Sequence, residues 1–473
     1  MLTRFLGEQS FQKLVEKAAI EIRKWVNEGS VIRVISHLDA DGLSAAGILG
    51  LMLYRSEASF KIRITRWMNE EVLTELAEES DSPIIFADSG SGYLDLIGEH
   101  LKSVPVIVLD HHEICGTPTG NIVHVNPHLC GIDGAKDLSG AGAAYFAAKA
   151  FDEENMDLSH LAIVGALGDM QDSYEGRSLG GLNTLIVEDA VKSGVVEVER
   201  DLLFYGRETR PIHKALAYTT NPFIPGLSGE EDKCLALLAE VGIEMKKGGR
   251  WRALRDLSEE EKKKLFSAIV NHVASMGLAD VAMKLIGAVY TLVKEEPWTP
   301  LRDGREYASL LNACGRMDKA GLGVAICMGD RGKALKEAQE TLEEYRRVIT
   351  SSLEMIMEEP GMLEEKRYIY VVHGGEKLDD KLVSTVSSIL SGNLPKSKAL
   401  IAYALTEDGI AKISARASGL KIDLAEIMRK SAEKFSGIGG GHAVAAGAQI
   451  PAEKIKDFID YVDKLVGGAL RGS

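Results

Sequence analysis

Through the first 195 residues, short apolar runs ending on a polar or acidic residue alternate with segments of helical period. Residues 31–36, 61–65, 84–88, 106–110 and 122–125 predict strands. They are mostly apolar along their length rather than strictly alternating, as expected of strands buried on both faces. Between and after them, 43–54, 94–101, 142–151, 158–167 and 182–192 predict helices. Strands and helices in this alternation imply an α/β fold with a parallel sheet covered on both faces. From about residue 200 to 300 the strand signal fades. Turns at Asn221-Pro222, Pro225-Gly226 and Gly248-Gly249 separate helical runs, and Ser258 with Glu261 reads as a capping box opening a helix over 259–272. This region is expected to be a mainly helical insertion. Residues 331–358 keep an amphipathic period with no Pro, and no Gly after Gly332, which predicts a long helix joining two domains. The remainder predicts a second α/β unit, with strands at 368–372, 399–404, 410–417 and 443–450 and helices at 382–390, 424–434 and 452–465. The expected divisions are 1–200, 201–300, 301–358 and 359–473.

At 473 residues the chain exceeds the usual size of one domain. Acids outnumber bases by 70 to 55, a formal charge of −15. That balance argues against a surface coated in basic residues for nonspecific nucleic-acid binding, while leaving room for a local basic groove. Cys115, Cys130, Cys234, Cys314 and Cys327 are scattered without a CxxC pair. No disulfide framework is expected, and a reducing, cytoplasmic setting is. The first ten residues lack an apolar core flanked by basic residues, so no signal peptide is expected, and no apolar run is long enough to span a membrane. Abundant Glu and Lys with few Gln is a thermophile-like composition.

The chemistry gathers where strands end. His37-Leu38-Asp39-Ala40-Asp41-Gly42, Phe86-Ala87-Asp88 and Asp110-His111-His112 follow three predicted strands, and Gly165-Ala166-Leu167-Gly168-Asp169 reads the same way, as an acid just past a strand-like run. Ligands of parallel sheets collect beyond the carboxyl ends of the strands. In an extended segment alternate residues share a side, so His37, Asp39 and Asp41 can face one pocket. Carboxylates with imidazoles, and no thiolate, suit Mn²⁺ or Mg²⁺ better than structural zinc. Two such ions roughly 3.5–4 Å apart can hold a phosphoryl group, activate a water and stabilise a leaving oxygen. One carboxylate must bridge them, and Asp88, on a middle strand, fits. Any one of these acids alone is more often a helix cap or turn residue. Four such segments in one α/β half point to a metal centre.

Toward the C-terminus, Ser436-Gly437-Ile438-Gly439-Gly440-Gly441-His442 precedes an Ala/Gly-rich strand. Consecutive glycines let backbone N–H groups approach a phosphate, and His442 could donate to it, although a glycine run alone is more often a flexible turn. Ser414 and Arg416, two apart on a strand, share a face, and Arg suits bidentate phosphate contact. Arg250-Trp251-Arg252 beside Lys246-Lys247 mixes basic and aromatic residues, a mixture that stacks bases and attracts phosphates. An exposed turn before the Ser258-capped helix is the expectation there.

In order, His37-x-Asp39-x-Asp41-Gly42, Asp88, Asp110-His111-His112 and Gly168-Asp169 resemble the four signature motifs of the DHH phosphoesterase superfamily. The resemblance implies that His37, Asp39 and Asp88 hold one ion. It implies that Asp41, Asp88, His111 and Asp169 hold a second, with Mn²⁺ preferred and Mg²⁺ the other choice. Asp110 and His112 then support the site or meet the substrate. The Gly439-Gly440-Gly441-His442 element and the Ser414-x-Arg416 strand look like the DHH-associated C-terminal domain. Asn312-Ala313-Cys314-Gly315-Arg316 looks like the Asn-Ala-Ala-Gly-Arg element of RecJ-type exonucleases, with Cys for Ala; read structurally, it is a close helix crossing allowed by small residues. In that branch Arg316, Ser414 and Arg416 are implied to hold the terminal 5′ phosphate. The middle region, with Arg210-Pro211-Ile212 and 221–226, looks most like archaeal RecJ-like proteins, the GINS-associated nuclease above all. That type resembles a eukaryotic replicative-helicase subunit that has lost its metal ligands, which this chain keeps. The implied activity is exonucleolytic hydrolysis of single-stranded DNA, 5′ to 3′, in replication or repair with GINS. Alternatives stay open: a 3′ to 5′ RNA exonuclease, a nanoRNA or cyclic-dinucleotide phosphodiesterase, or a replisome scaffold with incidental activity.

Overall fold

The structure, a computed structural model, describes residues 2–66, 68–219, 222–417 and 419–472. Asn221 of the expected Asn221-Pro222 turn lies outside them. The chain divides into two compact units, Met1–Leu342 and Glu343–Ser473.

The first unit opens with α1 (Leu2–Asn27), an element absent from the expectations above. Its buried stripe Phe11, Val15, Ala18, Ile22 and Trp25 has helical spacing, so the signal was present in the chain. Then follow β1 (Ile32–His37), α2 (Ala40–Arg55), β2 (Phe60–Thr65), α3 (Glu70–Glu79), β3 (Ile84–Ala87), α4 (Leu94–His100), β4 (Val106–Leu109) and β5 (Ile122–Val125). The five strands pair in parallel in the order β2-β1-β3-β4-β5. After β2 the chain crosses back to the other side of β1, so the order reverses between β1 and β3, where such sheets leave a crevice for ligands. Ile35, Phe86 and Val108 share one core with Leu73, Leu76, Leu94 and Ile97 of α3 and α4. On the helical side α2 packs with α5 (Gly140–Phe151) and α6 (Ser159–Gly168), and α1 packs on α5. α7 (Asn183–Lys192) completes this half.

The region beyond residue 195 is less helical than expected. β6 (Val196–Leu202) leads to α8 (Ile212–Ala217), α9 (Glu231–Glu240), a hairpin of β7 (Lys246–Lys247) and β8 (Arg250–Trp251), α10 (Glu259–Ala274), α11 (Ala279–Met283) and β9 (Ile286–Leu292). β6 and β9 pair antiparallel along their whole length and so bracket the region. β6 was hidden because its middle, Glu197 to Arg200, is exposed and has three charged residues around Val198, leaving no apolar run to read. The capping box on α10 is present: Ser258 Oγ accepts from Glu261 N–H at 3.3 Å, and Glu261 Oε2 accepts from Ser258 N–H at 2.8 Å. The Glu261 carboxylate also takes two bonds of 2.7 Å from buried Arg252, which hold its pKa down at about 2. A depressed acid contributes stability above its unfolded pKa and loses it as the pH falls. Glu261→Gln is therefore expected to lower the melting temperature at neutral pH, with the gap to wild type narrowing as the pH drops below about 4.5. A gap that stays constant down to pH 3 would contradict this.

α12 (Gly304–Arg316) and α13 (Ala320–Cys327) return to the sheet half, and α14 (Lys333–Glu358) carries the chain into the second unit. There β10 (Leu363–Glu365), β11 (Ile369–Gly375), α15 (Val383–Asn393), β12 (Ala399–Leu405), β13 (Ile410–Arg416), α16 (Leu424–Lys434), β14 (Ile438–His442), β15 (Ala445–Pro451) and α17 (Ile455–Gly472) follow. The sheet order is β10-β11-β12-β13-β15-β14, parallel between β11 and β12 and antiparallel elsewhere. Val371, Ile401 and Ile413 of the sheet pack with Met428 of α16 and Phe458 and Val462 of α17. The glycine run is a strand here, not a loop. A Cβ at Gly439 would meet the Met428 carbonyl oxygen at 2.6 Å, and one at Gly441 the Ala446 Cα at 2.7 Å, so these glycines admit backbone packing; only Gly440 of the three faces open space. No helix among the described residues is long and apolar enough to cross a membrane.

Candidate metal centre

Four chain segments meet at the carboxyl end of the parallel sheet. His37 ends β1, and the chain turns at once into α2, whose N-cap is Asp39: Gly42 N–H donates to its Oδ1 at 3.0 Å. The 37–41 stretch is thus a strand-to-helix turn rather than the extended segment expected, and Asp41 sits in the first turn of α2. Ser36 Oγ fastens that turn by donating to the Gly42 carbonyl at 2.7 Å and Ala87 at 3.0 Å. Asp88 follows β3 with a left-handed φ of +53°, and Asp110 follows β4. Asp169 corrects the strand-end expectation, because it caps the C-terminus of helix α6.

Asp88 stands between two groups of donors. Its Oδ2 lies 3.9 Å from His37 Nδ1, which is 2.9 Å from Asp39 Oδ2. Its Oδ1 lies 3.3 Å from His111 Nε2, which is also 3.2 Å from Asp169 Oδ2 and 3.7 Å from Asp41 Oδ2. His37, Asp39 and Asp88 form one set of mutually close donors and Asp41, His111 and Asp169 another. Both oxygens of buried Asp88, and Nε2 of buried His111, have no hydrogen-bond partner. Orphaned buried acceptors are costly, and a divalent cation would satisfy all three with donors of the preferred oxygen and imidazole type.

The remaining polar atoms are held by protein. Asp41 accepts from the N–H groups of Gly140 (2.6 Å) and Ala141 (3.0 Å) at the start of α5. His111 Nδ1 lies 2.7 Å from the Gly134 carbonyl, so Nδ1 carries the proton and Nε2 is left as the ligating atom. Asp110 is saturated: it accepts from Ser91 N–H (2.8 Å), His111 N–H (2.8 Å) and His112 Nδ1 (2.8 Å). The His112 ring is half exposed. Beneath them is a buried network that the sequence reading missed. Asn126 donates to Ser91 Oγ at 2.8 Å and to the His112 carbonyl at 2.9 Å, and Ser91 Oγ meets His124 Nε2 at 2.9 Å. Gln171, held by Asn183, donates to the same Gly134 carbonyl at 3.0 Å. The available signal was polar His124 inside the apolar β5 run.

The electrostatics follow from this crowding. Burial, reinforced by Asp41 and Asp39, raises the Asp88 pKa well above the ordinary carboxylate range. Burial and the Asp169 charge push Asp41 to about 6. Burial works against the charge on Asp39, but His37, the Gly42 N–H and Arg316 outweigh it and hold the group low. Burial likewise opposes the charge of Asp110, and His112 with His111 and Ser91 outweighs it. Burial disfavours charged His111, yet Asp169 and Asp88 raise its pKa. Neighbouring carboxylates that resist joint ionisation are what a dication would relieve.

Arg316 ends α12, and its charge is felt at His37 and Asp39. The Asn312-Ala313-Cys314-Gly315-Arg316 element lies against the Leu38–Ala40 turn: Asn312 Oδ1 accepts from Ala40 N–H at 3.0 Å, and a Cβ at Gly315 would overlap the Leu38 carbonyl oxygen. Gly315 therefore serves a close crossing over the turn that opens α2, while Cys314 faces Gly323 and α12 also packs against the helices α6, α13 and α2. In the second unit, Ser414 and Arg416 lie on β13. Arg416 donates to the hydroxyls of Ser384 (2.8 Å) and Ser388 (3.0 Å) of α15 and to Ser414 (2.9 Å). Gly439, Gly440, Gly441 and exposed His442 lie on β14.

Fold and site together define an α/β protein built around an acid–histidine centre. Family models for the DHH-CID domain and the DHHA1 domain match residues 204–286 and 365–468. A protein of Methanocaldococcus jannaschii is 33% identical over 472 residues, covering 97% of this chain and 99% of its own. RecJ from Thermus thermophilus in complex with Mn²⁺ superposes with a TM-score of 0.59 at 20% identity, over 96% of this chain and 55% of that longer one. An exonuclease RecJ bound to manganese gives 0.54 at 20% identity, over 96% of this chain and 94% of that one. CDC45 from Entamoeba histolytica gives 0.64 at 12% identity, over 96% and 99%. The chain belongs to the DHH phosphoesterase superfamily, and its fold is RecJ-like.

Proposed function

We propose that the protein is a metal-dependent exonuclease that digests single-stranded DNA, 5′ to 3′. The observation that carries this reading is buried Asp88, which belongs to the set with His37 and Asp39, lies 3.3 Å from His111 of the set with Asp41 and Asp169, and has no hydrogen-bond partner for either oxygen. His37, Asp39 and Asp88 would hold one divalent ion and Asp41, Asp88, His111 and Asp169 the other, with Mn²⁺ preferred over Mg²⁺. Such ions supply Lewis acidity toward phosphoryl oxygens and a lowered pKa for water. Asp110, kept ionised, orients the half-exposed His112 by its Nδ1 and leaves Nε2 as an atom that can exchange a proton with substrate. Arg316, Ser414, Arg416, the Gly439–Gly441 strand and His442 would bind backbone phosphates.

Digestion of single-stranded DNA and RNA oligonucleotides, labelled separately at each end, in Mn²⁺ tests this. Stepwise release from the 5′ end of DNA is expected. Release from the 3′ end, or of RNA alone, would keep the centre and overturn the placement of Arg316 and Arg416. Arg416→Ala is expected to raise KM roughly 10-fold or more, as loss of a charge-assisted hydrogen bond does, with Mn²⁺ affinity unchanged. An unchanged KM with weakened metal binding would contradict that role.

The insertion is proposed to dock GINS, which co-purification of the full chain with recombinant GINS would test. The likeness of the fold to CDC45 favours a second reading, a replisome scaffold with incidental activity. Absence of cleavage of both oligonucleotides would bring it forward.

A further inference from the structure

The insertion carries basic and aromatic groups that the metal centre does not use. Lys246-Lys247 and Arg250-Trp251 form the two strands of the β7–β8 hairpin, joined by Gly248 and Gly249, both at left-handed φ. This is an ordered hairpin where an exposed turn was expected. Trp251 is 41% exposed, with Lys246 Nζ 4.2 Å from its ring centroid and His213 packed beside it at 4.9 Å. Arg250 lies 4.1 Å from the ring centroid of a second tryptophan, Trp298, which is 46% exposed.

Trp298 is held in place for a surface residue. It has a φ of +60°, a strained conformation for a bulky side chain, in the Pro297-Trp298-Thr299-Pro300 loop. Its backbone N–H donates to Glu208 Oε1 at 3.0 Å and its indole N–H to Asp256 Oδ1 at 3.2 Å. Arg255 also approaches the ring, at 4.9 Å, but its charge is taken up by Glu208. Arg250 reaches Asp256 only at 4.0 Å. Lys246 and Lys247 have no carboxylate partner among the described residues. Two exposed indoles, Trp298 pinned by hydrogen bonds and Trp251 on the paired hairpin, beside weakly paired cations in a chain of formal charge −15, make a local exception that fits a polyanion with stacking faces.

We infer that the β7–β8 hairpin and Trp298 form a second contact for single-stranded nucleic acid, with bases stacking on the indoles and Lys246, Lys247 and Arg250 meeting phosphates. This rests on the nuclease reading for its biological use, but not for its test. Binding of a fluorescein-labelled 15-mer of thymidine to the full chain would be measured by anisotropy in EDTA across a salt series. Lys246→Ala/Lys247→Ala/Arg250→Ala is expected to flatten the log Kd against log salt slope by about 2, since each lost phosphate contact on a single strand removes about 0.7. Trp298→Ala is expected to weaken binding about 5- to 150-fold, the range for one stacked base. Hydrolysis of bis(p-nitrophenyl) phosphate in Mn²⁺ reports the metal centre separately and is expected to be unchanged in both variants. Unchanged affinity and salt slope would overturn the inference even if that hydrolysis is present, and so would duplex DNA competing better than the single strand. Lost binding in the variants, with no hydrolysis by wild type, would support the contact and overturn the nuclease reading instead.

Discussion

Asp88→Asn is expected to reduce hydrolysis by at least about 10³-fold, the several kcal/mol that a lost Lewis-acid site represents, and to raise the melting temperature of the metal-free protein. Both effects have one cause. Asp88 is buried between two donor sets, with neither oxygen hydrogen-bonded, and its pKa is raised by burial and by Asp41 and Asp39. A carboxyl whose folded pKa is raised costs stability at pH values above its unfolded pKa, and the cost vanishes as the pH falls toward that value. The gain from Asn should therefore be largest near neutrality, about 1–3 kcal/mol for removal of a poorly compensated buried charge, and should fade toward pH 4. Asn is the better replacement because the φ of +53° at this position suits Asn more than Ala. Near-normal turnover in the variant would sink the shared-ligand model. A lowered melting temperature in EDTA would show that the carboxylate has a stabilising partner within the fold.

Gly315→Ala is expected to cost about 3 kcal/mol, the upper end for forcing an extra methyl into a packed interior, and to weaken Mn²⁺ binding. The new Cβ would overlap the Leu38 carbonyl oxygen, and both sides of that contact are backbone, so no side chain can swing aside. Relief requires α12 to retreat from the Leu38–Ala40 turn. That would stretch the Asn312–Ala40 bond and shift Asp39, which lies in the turn, and His37, which precedes it. Cys314→Ala, at the neighbouring buried position, keeps a small side chain and should stay within about 1 kcal/mol of wild type. Denaturant midpoints and calorimetric Mn²⁺ titration of the two variants separate the cases. Equal midpoints would refute the close-crossing role of Gly315.

Local pattern was enough for much of the first half. Apolar runs placed β1 to β5 to within a residue or two at each end, and the acids and histidines that follow them could be read off because strand ends carry their chemistry in short, fixed spacings. The same patterning identified the capping box at Ser258 and the long helix α14. It failed where stability comes from distant pairing. β6 is mostly charged in its middle, and it is paired along its whole length by β9, far away in the chain. The glycine run reads as a loop until α16 and β15 press against it. Local pattern was sufficient for the five strands of the parallel sheet, the candidate ligand types and their chain order, and it missed the helices α1 and α3. Tertiary structure alone decided that Asp88 lies between two donor sets with both oxygens unsatisfied, and that Gly134 and Ser91 orient the histidine and aspartate of the third segment. It also decided that Trp251 and Trp298, 47 positions apart in the numbering, flank Arg250 and Lys246. Spacing along a chain specifies which groups share a face of one element, whereas desolvation and long-range contact depend on what the rest of the fold brings against that face.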